Sequence, residues 1–202
     1  MHEMDVVESE ILSLLRDFCK IVPLHIDKWR DVLDHLLNKV KGVVNMSEQL
    51  QYVSEANIEH MPNFKLAQKG LRFNILTSIE EDMKFVRDSI DKLSRFNTQI
   101  KDKLIKLETA SLQLDWEKGD CTLLQGTPVI PPLGRLLQDA LQFYTFFESA
   151  YKNMQNSTKR MSYLHLDNMK HWESTFMIEL ESNQCVNGLL ALTQYVDNDV
   201  LT

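Results

Sequence analysis

The stretch LTSIEEDMKFVRDSIDKLSRFNTQIKDKLIKLETASLQL, residues 76–114, places Leu76, Ile79, Met83, Val86, Ile90, Leu93, Asn97, Ile100, Leu104, Leu107, Ser111 and Leu114 at separations alternating strictly between three and four. An α-helix turns once every 3.6 residues, so this spacing lays the set along one stripe, and five heptads of it predict a long coiled-coil-like helix. Asn97 falls at an a-type position. There it either restricts register and partner number at a cost in stability, or simply faces solvent.

Working outward, the pattern recurs on both sides. From residue 4 to 53 the apolar positions Val7, Ile11, Leu14, Phe18, Val22, Ile26, Trp29, Leu33, Leu36, Val40, Val43 and Leu50 keep the same spacing, with Ser47 in one slot. Pro23 removes an amide donor inside this seam and crowds the preceding turn, which predicts a break or kink near Val22: two helices or one bent helix. Val32, Leu37 and Val44 widen the stripe, so neighbours are needed on more than one side. Periodicity lapses over 54–63, where Met61-Pro62-Asn63 reads as a turn before a short segment ending near Gly70.

On the other side, Gly119, Asp120, Gly126, Pro128, Pro131 and Pro132 make 115–132 a long loop without helix, with Leu123, Leu124, Val129 and Ile130 available to tuck against the bundle. A third seam follows through Leu133, Leu137, Ala140, Tyr144, Phe147, Tyr151, Met154, Thr158, Met161 and His165, and Leu136, Phe143, Phe146 and Ala150 mark a second apolar face of the same helix. Two apolar faces mean either a central position in the bundle or a docked partner. Trp172, Phe176, Leu180, Leu189, Leu192 and Val196 give shorter amphipathic pieces, and 197–202 read as a loose tail. The expected architecture is all-α, an elongated helical bundle with long coiled-coil-like helices. Its parts are a kinked helix or helix pair at 1–54, a short segment plus heptad helix at 63–114, a loop at 115–132, and an aromatic-rich helix with short C-terminal helices at 133–202. Together they make one helical domain.

Six glycines and five prolines in 202 residues suit such uninterrupted elements. A net charge of −7 without an offsetting basic run disfavours nucleic acid as the main ligand and favours protein partners. Cys19, Cys121 and Cys185 are odd in number and far apart, which fits plain thiols in a reducing compartment. The start of the chain has no signal-peptide pattern and no apolar run reaches a membrane span, so a soluble intracellular protein is expected. The Asn-x-Ser/Thr triplets at Asn45 and Asn156 lie in helical patterns and read as chance matches.

Chemistry has few footholds. No phosphate-binding glycine loop, His-Glu-x-x-His, Cys-x-x-Cys or Glu-x-x-His occurs. Ser89 and Lys92 have a serine-lysine spacing but lie inside the heptad seam without companion motifs. His165, Asp167 and His171 form the one loose cluster of possible ligands, and Asp31 with His35 a pair at i, i+4; neither supplies the further ligands that zinc prefers. Glu80, Glu81 and Asp82 read as the wet face of a coiled coil. Neither cofactor, metal nor catalytic residue is predicted, and the chain is read as a non-enzyme.

Several short motifs resemble a known family. Residues 21–53, with Trp29 in the seam and Met46-Ser47-Glu48-Gln49-Leu50-Gln51 near the end, are similar to the N-terminal part of the AAA-ATPase-interacting ribosome maturation factor family. Met61-Pro62-Asn63-Phe64-Lys65 resembles that family's Phe-Pro-Asp-Leu-Lys turn. A long helix, a proline-containing loop and a helix rich in aromatic and basic residues around 151–163 follow in both, and Met169-Lys170-His171-Trp172 resembles a Pro-Lys-Ala-Trp element. Met61 and Met169 depart from the pattern, and the third helix is less basic.

The resemblance implies a fold related to the N-terminal domain of nucleolus and neural progenitor protein. It also implies a helical adaptor that binds AAA ATPase subunits and a second small helical subunit, acts on precursors of the large ribosomal subunit in cytoplasm and nucleus, and is connected to chromatin and replisome protein turnover. Leu136, Phe143, Phe146, Trp172 and Phe176 are the candidate partner interface, from the excess apolar face. The competing readings are a self-associating coiled-coil spacer of a tethering or kinetochore-type complex, supported by Asn97 and the heptad seam, and, last, a metal enzyme in a four-helix core.

Overall fold

The structure, a computed structural model, describes residues 2–57, 62–117, 121–126 and 131–196. Met61 of the expected turn, the breakers Gly119, Asp120 and Pro128, the pair Val129 and Ile130, and the tail 197–202 lie outside the described residues. Among the described residues there are six helices and no strand: α1 (His2–Glu55), α2 (Pro62–Ser111), α3 (Thr122–Gln125), α4 (Leu133–Arg160), α5 (Leu166–Ser174) and α6 (Gln184–Val196). The chain is an all-α bundle, as the spacing predicts.

Of the two readings at Pro23 the helix pair does not form, and the segment boundary expected near Gly70 is absent. Pro23 lies inside a single continuous α1. An interior proline costs a helix about 3 kcal/mol, while each fully buried large apolar side chain contributes about 1.5 to 3 kcal/mol. Phe18, Cys19, Val22, Ile26 and Trp29 are all buried on either side of it, so packing outweighs the local penalty. Likewise Gly70 does not end a separate segment, because α2 runs unbroken from Pro62 to Ser111. Glycine there costs helix stability by about 1 kcal/mol relative to alanine, too little to divide so long a helix.

The loop 115–132 differs in the opposite sense: a four-residue helix, α3, forms within it. Cys121 and Leu123 are buried and Leu124 is half-buried. Gly126 then takes a φ of 75°, a left-handed conformation that glycine adopts without a Cβ clash and that closes this short helix.

The chain has two compact units, because α1, α2 and α4 are each long enough to supply a segment to both. The first takes the described parts of Met1–Arg30, Ser94–Ser149 and Glu179–Thr202; the second takes those of Asp31–Leu93 and Ala150–Ile178. In both, α1 and α2 pair antiparallel. Lys103 Nζ reaches Asp17 Oδ2 at 2.7 Å in the first unit and Lys39 Nζ reaches Asp82 Oδ1 at 2.7 Å in the second. Asp82 is therefore half-buried and tied to α1, not part of a wet charged face as its sequence context suggests.

The heptad stripe is the buried stripe. Ile79, Met83, Val86, Ile90 and Leu93 line the second unit, and Ile100, Leu104 and Leu107 the first. Polar members of the seams are satisfied locally where they are short: Ser47 Oγ donates to the Val43 carbonyl at 2.8 Å and Ser111 Oγ to that of Glu108 at 2.7 Å. Asn97 is different. It is 2% exposed, its Oδ1 accepts from Trp29 Nε1 at 3.1 Å, and its Nδ2 donates to Glu148 Oε2 at 3.2 Å. One amide thus joins α1, α2 and α4 of the first unit at a fixed register, and solvent exposure is not its role.

Replacing Asn97 with leucine orphans the buried Trp29 indole N–H, for which a loss of about 1 to 3 kcal/mol is expected. Adding Trp29→Phe removes that orphan, so a double-mutant cycle by urea denaturation should show strong coupling; additive losses would mean that the pair does not interact.

Candidate partner-binding surfaces

The densest aromatic packing belongs to the first unit. The His25 ring meets Phe147 edge-on with centroids 4.6 Å apart and lies 5.7 Å from Phe143; Trp29 is 4.8 Å from Phe147. His25 Nε2 is buried without a hydrogen-bond partner. Burial, helped by the charge of Lys28, pushes its pKa from 6.5 down to about 4, so it sits here as a neutral, aromatic-like filler.

The unfolded chain binds a proton at His25 near pH 6.5 and the folded chain only near pH 4. Stability is therefore full above pH 6.5 and is lost as pH falls through the interval, by up to about 3 kcal/mol. Melting curves of the protein minus those of His25→Leu should isolate this loss between pH 6.5 and 4; parallel curves would exclude it.

The five residues expected to meet a partner are divided between the two units. Leu136, Phe143 and Phe146 belong to the first unit, Trp172 and Phe176 to the second. Phe143 has no exposed area, Leu136, Trp172 and Phe176 are buried, and Phe146 alone is half-buried, its ring edge-on to Phe147 at 5.1 Å. Trp172 Nε1 donates to Thr158 Oγ1 at 3.0 Å and the ring meets Phe176 edge-on at 5.3 Å, which fastens α5 to the end of α4. The second apolar face of α4 is thus largely buried.

Residues that sequence reading overlooked are more available. Fourteen large apolar side chains are exposed among the described residues, and four of them, Phe64, Leu66, Leu71 and Phe73, fall within ten positions at the start of α2. Single exposed apolar residues are ordinary; a cluster is not. The signal lay in the lapse of the heptad pattern before residue 75, where apolar residues continue without a seam to enter. The second unit also carries a half-open cleft of about 520 Å³, lined by Met83, Ile90, Met161 and Tyr163 with Arg87 and Lys159 at its sides.

Ser89 is buried and Lys92 exposed. His165, Asp167, His171, Asp31 and His35 are all exposed, and no group of three or more His, Cys, Asp or Glu among the described residues could hold a metal ion. Cys19 and Cys121 are buried thiols, and burial raises the pKa of Cys121 further, against reactivity. No described helix is long and apolar enough to cross a membrane.

Over residues 9–194 the sequence matches the family model described as CA109-like, ribosome biogenesis protein C1orf109-like. The chain belongs to this family. It is the family that the motifs around Trp29, Met61 and Trp172 resemble, and the match spans both compact units. The C1orf109-like family is one of ribosome biogenesis proteins, and this places the chain in ribosome biogenesis. No curated protein sequence matches it.

For this C1orf109-like chain, Phe143→Asp is expected to cost more than about 3 kcal/mol and to remove the cooperative melt, since it buries a charge in the aromatic core. Phe73→Ser should stay within about 0.5 kcal/mol. Equal melts for the two variants would contradict the assignment of Phe143 to the core.

Proposed function

We propose that the protein is a non-enzymatic adaptor subunit that joins AAA ATPase subunits, with a second small helical subunit, to precursors of the large ribosomal subunit. The family match over 9–194 is the observation that carries this reading, since it supplies the process in which an adaptor would work. Its motif resemblance adds the partners. The preribosomal particle is reached indirectly, because a chain of net charge −7 is poorly suited to hold RNA by itself. The places of work are cytoplasm and nucleus, and the same assembly would serve chromatin and replisome protein turnover.

The five candidate residues fit this role best as a scaffold. Leu136, Phe143, Trp172 and Phe176 stabilise the helices whose outer surfaces meet the partners, and Phe146 is the one of the five with area left to offer. Against the self-associating spacer stands the heptad seam itself: its apolar positions from Ile79 to Leu107 are buried and Asn97 is paired with Trp29 and Glu148, so little of the seam is left for a second copy.

Affinity purification of the tagged protein from its own cells, followed by mass spectrometry, should recover an AAA ATPase together with large-subunit precursors. Recovery of the chain alone, or of a tethering or kinetochore complex, would refute the adaptor.

A further inference from the structure

We propose that the start of α2, residues 62–74, is a docking face for an acidic amphipathic helix of a partner protein. The inference rests on the reading of the chain as a binding subunit, and it adds the surface and the chemistry of what is bound.

Every described side chain from 64 to 74 is exposed except Gln68, which is half-buried. Gln68 Nε2 donates to the carbonyls of Val53 and Ala56 at 2.6 and 3.2 Å, where α1 ends, so this side of α2 is turned toward the chain's own helix end. About half a turn away, Leu66, Gly70 and Phe73 follow the i, i+4, i+7 spacing of one helix face, with Leu66 79% and Phe73 69% exposed. That face carries two large apolar ridges with a hollow between them.

Gly70 makes the hollow. A Cβ built on it would meet nothing within 4 Å among the described residues, so no close packing among them requires glycine in the middle of the helix. A partner side chain inserted between Leu66 and Phe73 would require it, in the manner of a knob entering a hole. The open space and the exposed ridges are separate observations with one explanation.

Charge selects the occupant. Residues 62–74 contain Lys65, Lys69 and Arg72 and no acidic residue, in a chain whose total is −7. Lys65, Lys69 and Arg72 share one side of the helix by their spacing, and among the described residues none is ion-paired. A second copy placed symmetrically on this face would set the three cations against their equivalents, so self-association is disfavoured. A helix with apolar residues at spacings of three and four, flanked by Asp and Glu, satisfies ridges, hollow and charge together.

The test places a photo-crosslinking phenylalanine analogue at Phe73 of the full-length chain in its own cells, with the same analogue at exposed Leu141 as control, and sequences the coupled peptide. The expected product is a protein segment of net negative charge with apolar residues at helical spacing. The combined Lys65→Glu, Lys69→Glu, Arg72→Glu variant and, separately, Gly70→Leu should each reduce coupling at least tenfold with helical content unchanged, and Gly70→Ala should change it less than twofold. Coupling to RNA, to lipid, to a second copy or to a segment without net negative charge would overturn the proposal. So would coupling no stronger than at Leu141, or coupling indifferent to charge reversal. Capture of an acidic helix from a protein outside any AAA ATPase assembly would uphold the docking face while removing the adaptor reading; recovery of the ATPase without coupling at Phe73 would do the reverse.

Discussion

A buried indole N–H must find an acceptor, and in the first unit it finds Asn97. The Trp29 to Asn97 bond, extended from Asn97 to Glu148, links three helices by directional contacts where the surrounding seam offers mainly non-directional apolar packing. Leucine, isoleucine and valine can slide past one another by a turn at small cost, whereas a mis-registered tryptophan would lose its hydrogen bond in a dry interior. The aromatic cluster of His25, Phe143 and Phe147 is packed beside the same tryptophan and inherits its register. A histidine with an orphaned nitrogen is tolerated there because its neutral ring fills the space that an aromatic side chain would.

Helix positions and core membership were largely legible in the sequence because the three-and-four spacing reports burial directly: Ile79 through Leu107 are buried where the pattern places them. What spacing does not report is the outcome of a contest. Pro23 and Gly70 both read as breakers, and neither ends its helix, the first because of the buried side chains around it and the second because its helical penalty is small. The short helix α3 was hidden because four residues give no periodicity to read.

Which apolar residues are exposed was legible least of all. An apolar side chain on a helix looks the same in sequence whether its neighbour is its own chain or another, so Phe143 and Trp172 read equally as core and as interface. Only packing separates them: both are buried, while Leu66 and Phe73, which belong to no seam, stand in the open. The aromatic seams hold the helices together, and apolar residues outside the seams are left exposed. Membership in a ribosome biogenesis family is shown by sequence, and the physical distinction between buried and exposed apolar residues stands independently of it.

Hydrogen–deuterium exchange on the isolated full-length chain tests that distinction most directly. Amides around Trp29, Asn97 and Phe143 should exchange slowest in the molecule, near the rate set by global unfolding, and those of 64–74 should be among the fastest of the helical amides. Fast exchange around Phe143 with strong protection at 64–74 would contradict the account, since the aromatic seam would then be waiting for a partner and the start of α2 would already have one.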